Sequence, residues 1–176
     1  MFYIQSNDVI VENFKNDAKR DVDGINGRDD KAGIVGGEAA FVIGGSRVTL
    51  RQGLVSDPGS TDMETCVGLL DGAATILLED FYCRSPFFHG VFVDANAQVS
   101  SLALTRWEIQ GNQGFGDVTL WQGQGGNTTV TDLTITDSEF RSRANQGLNY
   151  TINLNTNTTV NNFVITGSRF LGTDTR

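Results

Sequence analysis

Val130-Thr131-Asp132-Leu133-Thr134-Ile135 returns thirty residues later as Val160-Asn161-Asn162-Phe163-Val164-Ile165, and Val99-Ser100-Ser101-Leu102-Ala103-Leu104 precedes both. Within each block the apolar residues alternate, as they do along a strand with one buried face. Five residues past each block stands a further apolar residue: Ile109, Phe140 and Phe170. A strand that recurs at a near-constant interval is the mark of a solenoid, in which each turn buries its apolar side on its neighbours.

The slot filled by Ile135 can be followed upstream through Leu104, Leu78, Leu50 and Val11. Ahead of each slot comes a second short apolar strand and a turn. These strands are Phe2-Tyr3-Ile4, Phe41-Val42-Ile43, Leu69-Leu70, Val91-Phe92-Val93, Val118-Thr119-Leu120 and Ile152-Asn153-Leu154. Strand, turn, strand and longer loop therefore repeat, and the expectation is an all-β solenoid of about six coils, roughly 29 Å long at about 4.8 Å per coil. The stacking also predicts columns. One residue past the slot stand Glu12, Arg51, Glu79, Thr105, Thr136 and Thr166; the next column holds Asn13, Gln52, Asp80, Arg106, Asp137 and Gly167. In register, the charges in both columns alternate in sign, and opposite charges on neighbouring strands stabilise by roughly 0.2–1 kcal/mol.

The composition narrows the partners. With 13 basic and 21 acidic residues the net charge is −8, and no basic run offsets it, which argues against a nucleic-acid backbone. No apolar stretch approaches the ~18 residues of a membrane span, and the N-terminus has no basic-then-apolar leader. A length of 176 residues fits one domain. The chain starts directly in a strand and ends soon after one, so both ends of the solenoid are expected to be uncapped. A fragment of a longer β-helix, or self-association or a partner at the open ends, would account for that. Cys66 and Cys83 have no metal-like spacing; Cys83 falls on a core position, and a buried free thiol is expected there ahead of a disulfide.

Coil lengths that vary between 26 and 39 residues set this chain apart from strict short-repeat solenoids. Through Gly45-Ser46-Arg47-Val48-Thr49-Leu50 and Thr158-Thr159-Val160-Asn161-Asn162-Phe163-Val164-Ile165 it resembles the right-handed parallel β-helix of the pectin lyase-like superfamily. That resemblance implies a polysaccharide as partner, binding or cleavage along one side of a rod, and an extracellular or surface location. A non-catalytic module of a surface appendage or phage tailspike is the competing expectation.

The densest charge lies in the stretch from Asp17 to Lys31, a long loop of the kind that carries sites on rigid scaffolds. Asp21, Asp23, Asp29 and Asp30 supply carboxylates of the type used in glycoside hydrolysis, and Asp21-x-Asp23-Gly24 approaches a calcium loop without its full acidic spacing. A solvated loop with local ion pairs is the plain alternative. Asp23-Gly24-Ile25-Asn26, Asp29-Asp30 and His89-Gly90 are similar, in order, to motifs of polygalacturonase-type hydrolases. That similarity would make the aspartates the acidic groups and His89 a supporting one. Val22 and Phe88 depart from those motifs. His89 is the only histidine, which excludes a multi-histidine metal site, and a turn residue packed on aromatics is its plain reading. Arg106 is either a basic group of the polysaccharide-lyase kind or a rung in a salt-bridge ladder. Alternation aims Tyr82 and Trp121 outward, as platforms for sugar rings.

Overall fold

The structure, a computed structural model, describes residues 2–17, 39–56, 65–84, 89–110, 116–120, 127–141 and 150–171. Every element among them is a strand. The first eight are β1 (Phe2–Ile4), β2 (Val9–Glu12), β3 (Lys15–Asp17), β4 (Ala39–Ile43), β5 (Val48–Ser56), β6 (Thr65–Leu69), β7 (Thr75–Arg84) and β8 (His89–Val93). The rest are β9 (Gln98–Thr105), β10 (Glu108–Gln110), β11 (Gly116–Leu120), β12 (Thr128–Thr136), β13 (Glu139–Arg141), β14 (Tyr150–Leu154), β15 (Thr158–Thr166) and β16 (Arg169–Leu171).

All pairings are parallel and link each strand to its counterpart one coil away, which defines a parallel β-solenoid. One sheet stacks β1-β4-β6-β8-β11-β14. The other, ten-stranded, stacks the slot strands and, beyond a corner, the short strands that follow them. The columns expected from the sequence hold residue by residue. Glu12 pairs with Arg51, Arg51 with Glu79, Glu79 with Thr105, and Thr136 with both Thr105 and Thr166.

The core lies between the sheets. Leu50, Leu78, Leu104 and Ile135 form one fully buried column, and Val48, Ile76, Leu102 and Leu133 another. Phe41, Val67, Val91 and Val118 face them from the six-stranded sheet. Each such side chain contributes about 1.5–3 kcal/mol by leaving water. Past the corner, the inward column runs Val55, Cys83, Ile109, Phe140, Phe170, and its first four members, each five positions beyond the slot, are fully buried in the core.

The corner itself has a backbone cause. Asn13, Gln52, Asp80, Arg106, Asp137 and Gly167, one column of the stack, all have positive φ, between 47° and 61°. That left-handed conformation turns the chain within a single residue while its neighbours stay extended. It costs an L-residue other than Gly, Asn or Asp roughly 1–2 kcal/mol. Four of the six positions carry those tolerant types. Inside the corner the next column reads Phe14, Gly53, Phe81, Trp107, Ser138, Ser168. The Phe14 ring lies on Gly53, where a Cβ would sit 2.0 Å from Phe14 Cζ. From there Phe14 reaches across to Phe41 and Phe81. Further along the column, Ser138 Oγ accepts from the Trp107 backbone N–H, and Ser168 Oγ from that of Ser138. These hydroxyls satisfy backbone groups that the bend removes from the sheet ladder.

One expectation is overturned. Cys83 is not a free thiol: it is bonded to Cys66, with 6.1 Å between the Cα atoms. Cys66 on β6 and Cys83 on β7 both project into the core, and both are fully buried. The sequence spacing gave no sign that the two walls of one coil bring these positions within bonding reach.

Two stability measurements test the corner and the disulfide. Replacing Gln52, an exposed corner residue, by Gly is expected to raise the free energy of unfolding by about 0.5–1 kcal/mol, and by Val to lower it by about 1–2 kcal/mol. Urea titration of the three proteins measures both. Replacing Cys66 and Cys83 together by Ala is expected to lower stability by about 3 kcal/mol, the loop-closure value for a short loop, and a free-thiol assay on the unfolded wild type should read no thiol.

Candidate functional site

Beyond the corner, the outward side of the short strands brings aromatic, basic, amide and acidic side chains together. One column runs Leu54, Tyr82, Glu108, Glu139, Arg169, and the next runs Ser56, Arg84, Gln110, Arg141, Leu171. In the middle of this strip, Tyr82, Arg84, Gln110 and Arg141 are exposed, and Glu108 and Glu139 are half-buried. Alternation produces the arrangement: Phe81, Cys83 and Ile109 fill the core, so the residues between them face out. Rungs about 4.8 Å apart and outward residues about 6.6 Å apart along a strand form a flat grid.

Tyr82, 43% exposed, presents its ring here as the sequence predicted. Glu139 bonds Arg141 within its own strand and lies 3.8 Å from Arg169 on the next rung. Glu108 and Glu139 are direct neighbours, a like-charge contact that the two arginines offset. One column over from Tyr82 and these carboxylates, Arg84 and Gln110 offer guanidinium and amide donors. An aromatic platform beside guanidinium and amide donors and carboxylate acceptors suits an extended ligand rich in hydroxyl and carboxylate groups.

Arg106 stands at the corner and is not on that strip. Its Nε donates to Asp80 Oδ1 at 2.6 Å, and its Nη2 to Asp80 Oδ2 at 3.0 Å and to Glu79 Oε1 at 2.6 Å. These bonds hold the Asp80 carboxyl below the usual carboxylate range and raise the Arg106 guanidinium further. The ladder expected through this column is thus one-sided: Arg106 reaches back to Asp80 and Glu79 and forms no ion pair with Asp137 among the described residues. Arg51 likewise pairs with Glu12, at 2.5 Å, while Glu79 goes to Arg106. A third pair, Asp8 with Arg47, lowers the Asp8 carboxyl through a two-pronged hydrogen bond. In the turn at residues 94–97 burial pushes the Asp94 carboxyl up, against the Ala95 N–H that it accepts.

His89 lies at the start of β8, only 3% exposed. Its Nδ1 is 3.0 Å from Thr119 Oγ1, and its ring packs on Phe92 at 4.9 Å. Thr65, its neighbour in register, is also buried, and its Oγ1 finds no hydrogen-bond partner. Gly90 lets this segment close on the core, since a Cβ there would meet Trp107 and Ile109 within 2.6 Å. The imidazole is therefore a packed, hydrogen-bonded group away from the strip.

Asp21, Asp23, Asp29, Asp30 and Trp121 lie outside the described residues. So does the calcium-loop-like segment Asp21-x-Asp23-Gly24. Among the described residues no group of three or more His, Cys, Asp or Glu side chains is placed to hold a metal ion, and no helix is long and apolar enough to cross a membrane. Sequence reading placed Tyr82 on the outward face but did not single out Arg84, Glu108, Gln110 and Arg141 on the same strip. Their signal was available in the same columns, read two and four residues past the corner. Against known proteins the chain stands apart: no family model, no curated protein and no solved structure matches it.

His89→Ala is expected to cost about 2–4 kcal/mol of stability by emptying a buried site and removing the imidazole from Thr119. Urea unfolding measures it; a variant as stable as wild type would instead point to a role for His89 other than packing.

Proposed function

We propose that this chain binds an extended, acidic or neutral polysaccharide along the strip of outward residues beyond the corner. The observation that carries the reading is the exposed Tyr82 ring set among Arg84, Glu108 and Gln110 on a rigid parallel grid. A sugar face stacks on the phenol ring while arginine and amide donors on this rung and the next take hydroxyl or uronate oxygens of the neighbouring residues of a linear chain. The disulfide Cys66–Cys83 supports an oxidising, extracellular setting. The resemblance to right-handed pectin lyase-like β-helices points to the same ligand class. If the chain also cleaves its ligand, the carboxylates from Asp21 to Asp30 are the groups proposed for the chemistry, with Trp121 as a second platform and calcium as an optional ligand of that loop.

A second reading is a structural module of a surface appendage or phage tailspike. It is favoured by one observation, the apolar side chains left open at the ends of the stack.

Isothermal titration and reducing-end release against polyuronates and neutral glycans, with calcium and with a chelator, separate these readings. On a glycan that binds, Tyr82→Ala is expected to weaken affinity about three- to tenfold, the equivalent of roughly 0.5–1.5 kcal/mol for a lost ring contact. Circular dichroism should not change. Undiminished affinity in Tyr82→Ala would remove the strip as the site, and no binding to any glycan would leave the structural module.

A further inference from the structure

The inner rungs of the stack bury their inward residues almost completely, yet the last rung does not. Phe163, Ile165, Phe170 and Leu154 are 45%, 38%, 46% and 49% exposed, although their counterparts one rung earlier, Leu133, Ile135, Phe140 and Leu120, are fully buried. At the opposite end Phe2 is 56% exposed, and Val9, Val11 and Phe14 are half-buried. Each end thus shows a cross-section of the core, ringed by strand edges whose outer backbone groups have no neighbouring strand among the described residues. Such a surface is a template for another strand.

We propose that the occupant is a second copy of this chain, added head to tail, so that β14, β15 and β16 of one copy pair with β1, β2 and β3 of the next. Continuing the columns by one rung makes the match explicit. Ile165 meets Val11, Phe163 meets Val9, Leu154 meets Ile4 and Ile152 meets Phe2, all apolar on apolar. Ser168 meets Phe14, repeating the small-beside-large contact that Gly53 already makes with Phe14 inside the stack. At the corner Gly167, with φ of 61°, meets Asn13, with φ of 54°, so the bend continues unbroken. On the outside Asn153 faces Tyr3, and Asn162 faces Asp8. Arg169 opposite Lys15 is the one like-charge contact in this register.

Only translation along the axis gives this match. A two-fold axis across the end would run one coil against the sense of the other, so inward columns and corners would not coincide. A head-to-tail contact does not close on itself, and the product is an open filament that lengthens in steps of about 29 Å, six rungs at about 4.8 Å.

The test uses light scattering and analytical ultracentrifugation from 1 to 200 µM. The proteins are the intact chain, a tail variant (Phe163→Glu with Ile165→Lys) and a head variant (Val9→Glu with Val11→Lys). Circular dichroism checks each for the wild-type fold, and Val164→Lys and Ile10→Lys serve as milder edge blocks where a double variant unfolds. The intact chain is expected to rise at least twofold in mean mass with concentration. Each variant alone should stay monomeric. Mixing the two should yield a dimer and nothing larger, because the one free tail pairs with the one free head and both outer ends are blocked. A monomeric intact chain at every concentration overturns the proposal, and so does a dimer formed by the head variant alone, which would mean tail-to-tail contact.

Discussion

The left-handed residue at the corner is the constraint on which the rest depends. It appears once per coil, in one column, and it decides where the slot strand ends and the short strand begins. A corner displaced by one residue would turn every following side chain to the other face, driving Tyr82 and Glu108 into the core and Cys83 and Ile109 into water. The backbone conformation at Gln52, Asp80, Arg106 and Asp137 therefore fixes both the core beneath the corner and the chemical strip above it. The strain is distributed: each corner is held by parallel ladders on either side and by hydroxyl or ring contacts within.

Electrostatics follows that geometry. Arg106 and Asp80 are adjacent corner residues, and their left-handed conformations let the guanidinium lie across the carboxylate of the preceding rung while it also reaches Glu79. Exposed pairs of this kind add little to stability. They do favour one register over its neighbours, since a one-residue slip would set Asp80 against Thr105 or Trp107 and part Arg51 from Glu12. The charged columns thus serve alignment more than strength, and the apolar columns supply the strength.

Much of the fold was legible because a solenoid writes the same instruction many times. Val99, Val130 and Val160 could be superposed by eye, and the columns derived from them hold pair by pair. The positive φ was readable only in part: Asn13, Asp80, Asp137 and Gly167 are the residue types that tolerate it, but Gln52 and Arg106 in the same column are not. The disulfide was not legible, because Cys66 and Cys83 sit on different strands of one coil, and their approach depends on the coil's cross-section, which no periodicity encodes. The strip around Tyr82 was half visible. Alternation gave the direction of Tyr82, whereas the grouping of Arg84, Glu108 and Gln110 requires knowing that residues 84 and 110 are neighbours across a rung.

The bond between Cys66 and Cys83 has one more consequence. In a stack where each coil touches only its neighbours, tension applied to the chain ends would peel rungs off one after another. The 17-residue span between the two cysteines cannot lengthen while that bond is intact, so the coil that contains it would come away as a closed loop. A stretched molecule would then be shorter than its residue count implies by the contour of that span, and it would keep a covalent memory of which coil stood there.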